Sequence, residues 1–311
     1  MEQNTKPAET ILSVRDFSIR FLRYEGTFKR QALEVISALE VEIKAGEIAA
    51  IVGASGSGKS LLAHAILGIL PPNAAVSGEM SYCGEALTQK KLETLRGNKI
   101  VLVPQSVSFL DPLMKVGNQV MGENHSAAEV EAVFKRYNLA PRVMELYPFE
   151  LSGGMARRVL VAAAVITGAN LIIADEPTPG LSEALAREAL SHLRELADSG
   201  TAVMLITHDI RMALQVSDKI AIFYAGMTVE TALRDDFSGS GTGLRHPYTR
   251  ALWRALPQND FTSLPGTQPY AGTLKDICPF FSRCKIRTEE CRNSIPLQEL
   301  RGGKVRCIHA A

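Results

Sequence analysis

The pattern of apolar and polar positions predicts short buried strands that alternate with helices. Compact apolar runs lie near residues 48–52, 99–103, 171–174, 203–206 and 220–224. The stretches between several of these runs carry apolar residues at helical spacing. Strands that alternate with helices along a chain form a largely parallel sheet. The pattern therefore predicts a mainly parallel α/β core.

Three other regions depart from this alternation. Residues 11–50 predict an antiparallel β region, whereas residues 106–165 hold few strand signals and predict a helical insertion. Beyond about residue 235, Gly and Ser open a stretch that contains six of the fifteen prolines, which is typical of a turn-rich extension. We predict one domain over residues 1–235 and an irregular C-terminal extension over residues 236–311.

Composition restricts the partners and the location. Lys and Arg number 34 against 33 Asp and Glu, which gives a net charge of +1 and no electrostatic footprint for nucleic acid. The N-terminus is polar and contains acids, and no window reaches the roughly 18 apolar residues of a membrane span. We expect a cytoplasmic protein without a signal peptide or a nucleic-acid partner.

A phosphate-binding motif follows the first predicted parallel strand. The segment GASGSGKS matches G-x-x-x-x-G-K-[ST] and precedes a helical pattern, which is the context that this motif requires. Its glycines let successive backbone N–H groups converge on phosphate oxygens, the lysine reaches the β- and γ-phosphates, and the last serine ligates Mg²⁺. The predicted nucleotide-binding residues here are Gly53, Ser55, Gly56, Ser57, Gly58, Lys59, Ser60 and Leu61.

Two carboxylates end a second apolar strand, NLIIADEPT. A parallel strand would place Asp175 and Glu176 beside the phosphate loop, 116 residues after Lys59. Asp175 suits the Mg²⁺ shell, and Glu176 suits polarisation of an attacking water. We predict Glu176 and Lys59 as catalytic residues.

The segment ELSGGMARR stands shortly before this second strand. Ser152 and the amides of Gly153 and Gly154, at the start of a helix, form a second anion cradle. Leu-Ser-Gly-Gly-Met at this position resembles the signature motif of ABC-type ATPases. The resemblance implies that Ser152, Gly153, Gly154 and Met155 contact a nucleotide bound by a partner subunit, and that two subunits sandwich each ATP.

Further positions match the same family in order. Gln105, after the strand KIVLVP, resembles the family's glutamine that ligates Mg²⁺, and His208, 32 residues after Glu176, resembles its switch histidine near the γ-phosphate. Phe21 is the candidate for stacking on adenine, with Tyr24 and Phe28 as competitors.

One position departs from the family pattern. Ser182 stands where the family usually has an aspartate at the dimer centre. The substitution keeps a hydroxyl but removes the charge, which puts symmetric cooperation between two identical subunits in doubt. We therefore expect a heterodimer with a related ATPase subunit rather than a homodimer.

The extension carries four of the five cysteines in the pattern C-x5-C-x6-C-x15-C, at Cys278, Cys284, Cys291 and Cys307. The tight pairs that are usual in zinc sites are missing, whereas [4Fe–4S] clusters tolerate looser spacing. Zinc, a disulfide and free thiols stay open as alternatives. The segment HPYTRALWRALP resembles the peptide and nickel import branch of the ABC ATPases. This resemblance implies a [4Fe–4S] cluster in some members of the branch. Cys83 is expected to pack within a strand.

These features favour an ATPase subunit of a membrane importer. The resemblance implies ATP and Mg²⁺ as cofactors, two membrane-spanning permease subunits and an extracellular binding protein as partners, and a peripheral position on the cytoplasmic face of the membrane. Di- or oligopeptides are the expected substrate, with nickel or a metal chelate as the alternative. A soluble ABC ATPase that acts on DNA or ribosomes is a remote alternative, and LSGGM disfavours a small-molecule kinase.

Overall fold

The computed structural model describes residues 8–25, 29–273 and 277–310. Its strands are β1 (Thr10–Glu25), β2 (Lys29–Lys44), β3 (Ile48–Gly53), β4 (Ala74–Tyr82), β5 (Glu85–Ala86), β6 (Ile100–Val103), β7 (Leu171–Asp175), β8 (Ala202–Thr207), β9 (Lys219–Tyr224), β10 (Met227–Leu233), β11 (Gln298–Leu300) and β12 (Gly303–Val305). Its α-helices are α1 (Lys59–Ile66), α2 (Gln89–Leu95), α3 (Val116–Met121), α4 (Ala127–Arg136), α5 (Gly153–Val165), α6 (Glu183–Asp198), α7 (Ile210–Val216) and α8 (Pro247–Arg254).

The central sheet has the order β11-β12-β10-β9-β3-β8-β7-β6. The five strands from β9 to β6 run parallel, while β10, β12 and β11 continue the sheet in antiparallel fashion. Every residue of β3 and β8 is buried, because both faces of the sheet are covered. The five parallel strands that the sequence predicts are all present.

Side chains of the central strands alternate between two hydrophobic cores. Val203 and Leu205 of β8 join the core formed with α3 to α7, whereas Met204 and Ile206 join the core formed with α1 and the first two strands. This alternation follows from the two-residue period of a strand. Successive residues of one strand therefore contribute to the cores on opposite faces of the sheet.

A second, four-stranded antiparallel sheet has the order β2-β1-β4-β5. β1 and β2 form two of its strands, in agreement with the predicted N-terminal β region, but residues 48–50 already belong to parallel β3. The other two strands come from residues 74–86, after α1.

Cys83 was expected within a strand but lies in the turn between β4 and β5, with a positive φ of 48°, and packs at the edge of the core.

Residues 104–170 contain no strand. They form α3, α4 and α5 with short 3₁₀ turns between them, as the weak strand signals predict. The start of α4 is fixed by a reciprocal capping box that Ser126 and Glu129 form.

The C-terminal extension is joined to the core by its last hairpin. β12 pairs with β10, and β11 pairs with β12, so the chain end widens the central sheet. Arg245 fixes the start of the extension: it is fully buried and contacts Glu230 of β10 at 3.4 Å and Asp236 at 2.8 Å. Its guanidinium also donates to the backbone oxygens of Leu300 and Arg301. The division near residue 235 stays a prediction.

Within the described ranges, no helix combines the length and the apolar character that crossing a membrane requires.

Candidate nucleotide site and cysteine cavity

The phosphate loop joins the end of β3 to the start of α1. Gly56 and Gly58 have φ values of 76° and 95°, in the left-handed region that favours glycine. A Cβ on Gly58 would also lie 2.9 Å from Ile36 Cγ1, and one on Gly53 would lie 2.8 Å from the Phe223 oxygen. The conformation and the close packing of this loop therefore both require glycine.

Lys59 is folded back into this loop. Its Nζ donates to the carbonyl oxygens of Gly53 and Ala54 at 2.9 Å each. Burial lowers the pKa of Lys59, and the nearby Glu176 and Asp175 carboxylates oppose that shift. The ammonium group thus stands at the centre of the loop, held by carbonyl oxygens that a phosphate can replace.

The loop serines differ in exposure. Ser55 is exposed, whereas Ser57 is buried and its hydroxyl has no hydrogen-bond partner among the described residues. Ser60, at the second position of α1, interacts with the carboxyl of Asp175. Leu61 faces the other way and packs against the core beside the antiparallel sheet.

Asp175 ends β7, two strands away from β3 in the sheet. Burial raises the pKa of its carboxyl, while Ser60 favours the ionised form. Asp175 Oδ1 is buried without a hydrogen-bond partner in the described part of the chain. A carboxylate oxygen and a serine hydroxyl are ligands that suit Mg²⁺, and a bound cation would offset the cost of burying this charge.

Glu176 and His208 form a direct pair at the same edge. His208 Nδ1 lies 2.9 Å from both carboxylate oxygens of Glu176. Glu176 has a φ of 47°, which is unusual for a residue with a side chain, and its amide donates to the Ile206 oxygen. Because β7 and β8 are adjacent, this turn aims the buried carboxylate at the exposed imidazole.

Gln105 belongs to the same edge of the sheet. It follows β6 by two residues and is exposed, and β6 pairs with β7. The structure thus brings together the carboxyl ends of β3, β6, β7 and β8, with Lys59, Gln105, Asp175, Glu176 and His208 around them. The predicted catalytic and Mg²⁺-binding residues are therefore neighbours in the fold.

The signature residues lie elsewhere. Ser152 caps α5 by accepting from the Met155 amide at 3.3 Å, and the first helical residue, Gly153, is exposed. In the described part of the chain, no hydrogen bond or ion pair joins residues 152–155 to the phosphate loop. This helix start is left open toward solvent, with its unsatisfied N–H groups available.

The sequence gives no sign of how α5 is tied to the catalytic turn. Arg157 donates to the backbone oxygens of Glu176 at 3.3 Å and Pro179 at 3.2 Å. Burial lowers the pKa of its guanidinium. Arg157 therefore connects the signature helix with the segment that follows Asp175.

Ser182 has a local structural role. It is exposed and caps α6, accepting from the Leu185 amide at 3.4 Å.

Phe21 lies on β1 opposite Leu33 and Ala74 and is half-buried against the core. Of its competitors, Phe28 and the side chain of Tyr24 lie outside the described residues.

The four cysteines of the extension converge. Cys278, Cys284, Cys291 and Cys307 are buried and line one small enclosed cavity with His246, Phe280 and other residues. The Cys278 amide donates to the Cys291 oxygen at 2.9 Å, which closes the loop between them. Burial raises the pKa of Cys278 to about 11 and also raises the pKa of Cys284 and Cys307. Without a bound metal the Cys278 thiol is therefore protonated at neutral pH.

The structure bears on the disulfide and metal alternatives for the cysteines. All five cysteines are free, so no disulfide joins them. In residues 8–25, 29–273 and 277–310, no group of three or more His, Cys, Asp or Glu side chains could hold a metal ion. In the described residues the four thiols therefore line one cavity without being arranged around a single metal ion.

Comparisons with known proteins identify families and relatives that this chain resembles. The family model described as ABC transporter matches residues 36–179, and the model described as oligopeptide/dipeptide transporter, C-terminal region, matches residues 229–291. The oligopeptide transport ATP-binding protein OppD of Salmonella typhimurium is 33% identical over 98% of this chain and 95% of its own length. The dipeptide transport ATP-binding protein DppD of Bacillus subtilis is 30% identical, with 94% and 92% covered.

The chain belongs to the oligopeptide/dipeptide family of ABC transporter ATP-binding proteins. The family and the ATPase class that the sequence predicts are thereby confirmed. A solved dimeric structure of the ABC transporter cassette MJ0796 is 24% identical, with a TM-score of 0.62 over 72% of this chain and 99% of that one. This likeness confirms the predicted ABC ATPase fold.

Proposed function

We propose that this ABC ATPase energises the import of di- or oligopeptides through a membrane transporter. The observation that carries the proposal is the set of Lys59, Asp175, Glu176 and His208 at one sheet edge, in a chain related over nearly its whole length to peptide-transport ATP-binding proteins. Nickel or metal-chelate import is the alternative, and a soluble ABC ATPase without a transporter is the remote one.

Phosphate binding is the first part of the mechanism. Phosphate oxygens of ATP take the place of the two carbonyl groups that hold Lys59, and the amides of Gly53 to Leu61 complete the cradle. Ser60, Asp175 and Gln105 would hold Mg²⁺, and the bound ion would neutralise charge on the phosphates. Phe21 is the proposed platform for adenine, at the margin of the antiparallel sheet.

Hydrolysis depends on the Glu176–His208 pair. The Glu176 carboxylate accepts the proton of a water that attacks the γ-phosphorus, and the bond from that phosphorus to the β-γ bridging oxygen breaks. His208 orients the carboxylate through their 2.9 Å contact and reaches toward the γ-phosphate. The products are ADP and phosphate.

Assembly completes the site. The exposed start of α5, Ser152 to Met155, has no nucleotide-site partner within the described chain, which supports contact with the ATP of a second subunit. Ser182 replaces the usual aspartate at the dimer centre, so we propose a heterodimer with a related ATPase subunit. Two permease subunits and an extracellular binding protein complete the importer, and the chain lies on the cytoplasmic face of the membrane.

Uptake by the assembled transporter tests this proposal. The chain, tagged and co-expressed with its partners, is purified and reconstituted into vesicles, and ATP-driven uptake of a labelled tripeptide and of radioactive nickel is measured. The proposal is supported if the transporter takes up the tripeptide, if Lys59→Ala abolishes this uptake, and if the surface variant Lys90→Ala retains it. Uptake of nickel alone would support the alternative, and purification without any permease would contradict both transport functions.

The cysteine cavity supports a second proposal. We infer that Cys278, Cys284, Cys291 and Cys307 hold a [4Fe–4S] cluster as a structural staple of the extension. The support for this proposal is that four buried thiols line one cavity, since four cysteines are the ligand set that such a cluster would take. The segment that carries Cys278, Cys284 and Cys291 consists of 3₁₀ turns and loops, and it packs into the main hydrophobic core instead of forming a core of its own.

Iron and acid-labile sulfide assays on the anaerobically purified chain test the cluster. About four of each per chain, with a visible absorbance band that dithionite bleaches, is the expected result. Zinc in place of iron, or neither metal after anaerobic reconstitution with iron and sulfide, would contradict it.

A further inference from the structure

His246 is a buried histidine whose ring lines the cysteine cavity. It precedes α8 as its N-cap residue and is 1% exposed. Nδ1 accepts a hydrogen bond from the backbone N–H of Tyr248 at 3.0 Å. Pro247 starts the helix between these two residues and has no N–H to compete for that acceptor. The His-Pro-Tyr tripeptide therefore fixes the orientation of the imidazole.

This hydrogen bond decides the tautomer. Because Nδ1 uses its lone pair to accept from Tyr248, it carries no hydrogen, and the ring hydrogen must lie on Nε2. His246 Nε2 is buried and has no hydrogen-bond partner among the described residues. A buried N–H group without an acceptor is rare, because it has lost water and gained nothing in return.

The cavity that His246 lines is rich in sulfur. The cavity is lined by the four cysteines, with Phe280 at 6.0 Å from the His246 ring centre. Two other polar residues of the lining have partners of their own: Arg287 donates to the Cys284 oxygen at 3.2 Å, and His309 Nε2 lies 3.1 Å from Thr288 Oγ1. His246 Nε2, in contrast, is buried and has no hydrogen-bond partner in the described part of the chain.

We propose that the Nε2–H group of His246 donates a hydrogen bond to a sulfur atom of the cluster that the four cysteines hold. The inference rests on the proposed cluster and adds a residue outside the cysteine pattern to its site. The acceptor is a cluster sulfide or a bound thiolate, since both carry the negative charge that the neutral thiols lack. The His-Pro-Tyr tripeptide thus acquires a role that its sequence alone does not reveal.

The hydrogen bond has a measurable consequence. When the cluster takes up one electron, its sulfurs become more negative, and a donor stabilises the reduced form more than the oxidised form. Hydrogen bonds to the sulfurs are one of the factors that set cluster potentials. His246 therefore raises the midpoint potential.

Two substitutions separate the two nitrogen atoms of the ring. His246→Asn places an amide oxygen where Nδ1 accepts from Tyr248 but cannot reach the Nε2 position, so it keeps the cap and removes the donor. His246→Gln extends an N–H group toward the Nε2 position and gives up the cap. His309→Asn is the matched control, since His309 lines the same cavity but contacts Thr288.

Redox titration of the full-length chain, followed by visible absorbance and by EPR of the reduced form, provides the readout. At a fixed poise near the wild-type midpoint, His246→Asn should lower the ratio of reduced to oxidised cluster about tenfold, equal to about 59 mV for one electron. His246→Gln should restore most of that ratio, and His309→Asn should leave it unchanged. Iron content, measured on the same samples, shows whether the cluster is present at all.

The outcomes distinguish the two proposals. Wild-type protein without iron contradicts the cluster and this inference together. Full iron content in His246→Asn with an unchanged midpoint overturns the role of His246 and leaves the cluster in place. If the two His246 variants do not fold, pulsed EPR of the reduced wild type labelled with ¹⁵N-histidine decides between the outcomes. Weak coupling to one nitrogen that persists in His309→Asn supports the hydrogen bond. No coupling overturns it.

Discussion

The phosphate site and the cysteine cavity are built in opposite ways. The phosphate site lies at the carboxyl ends of parallel strands, where short turns deliver Lys59, Asp175, Glu176 and His208 to one edge. The cysteine cavity lies among 3₁₀ turns and loops, and its four thiols come from residues up to 29 positions apart. One site is organised by a rigid sheet, and the other contains side chains that a cofactor would organise.

The two sites also differ in their electrostatics. At the phosphate site, burial and neighbouring charges act against each other: burial lowers the pKa of Lys59, and the two carboxylates nearby raise it. In the cysteine cavity, burial raises the pKa of the Cys278 thiol, and the neighbouring Cys307, Cys291 and Cys284 add to that shift. The first site thus places opposite charges side by side, whereas the buried Cys278 thiol of the second would become charged when a bound metal replaces its proton.

The largest expected effect separates the two sites by chemistry. Glu176→Gln should reduce ATP hydrolysis by about 10²-fold or more, because the amide cannot accept a proton from water. ATP binding and iron content should stay unchanged, as measured by nucleotide filter binding and an iron assay. The exposed Glu183→Gln is the matched control. Near-normal turnover in Glu176→Gln would mean that another group activates the water.

The attachment of the extension to the core is the next test. Arg245→Met leaves the fully buried Glu230 without its cation, and we expect a loss of about 3–5 kcal/mol in the free energy of unfolding. Arg254→Met, which breaks an exposed ion pair with Asp260, should cost less than about 1 kcal/mol. Thermal and denaturant unfolding measure both, and equal losses would mean that the buried pair does not join the extension to the sheet.

A cysteine substitution tests the cavity by itself. Cys278→Ser should remove most of the iron and lower the thermal midpoint, by about 2–4 °C for each kcal/mol of stability lost. ATP binding should persist, because the phosphate loop lies in a different part of the sheet. Cys83→Ser, in the turn between β4 and β5, should retain wild-type iron. Equal iron in the two variants would exclude Cys278 as a ligand.

The smallest effect concerns Ser182. Ser182→Ala removes the cap of α6 and should cost about 1 kcal/mol, whereas Ser182→Asp keeps a capping oxygen and should cost almost nothing. If the missing aspartate is what disfavours a homodimer, Ser182→Asp should also increase ATP-dependent self-association, measured by light scattering. Unchanged self-association would contradict the proposed effect of Ser182 on the choice of partner.

Contiguous motifs made much of the nucleotide site predictable. GASGSGKS encodes its own turn, because glycines at Gly56 and Gly58 permit the positive φ values and the following residues begin a helix. The five parallel strands were equally readable, since a fully buried strand is a continuous apolar run. The antiparallel sheet was only partly predicted, because β4 pairs with β1 across more than 50 residues and its own pattern is largely exposed.

Local sequence thus determined the phosphate loop, the central strands and the family, because each depends on neighbouring residues or on a spacing that a rigid sheet preserves. Tertiary structure alone decided the contacts between distant segments. Arg157 reaches the turn after Asp175, Glu176 meets His208 at 2.9 Å, and His246 turns its ring toward the cavity of the cysteines. Such contacts depend on how helices and loops pack on the sheet, and packing is set by the summed burial of the whole chain.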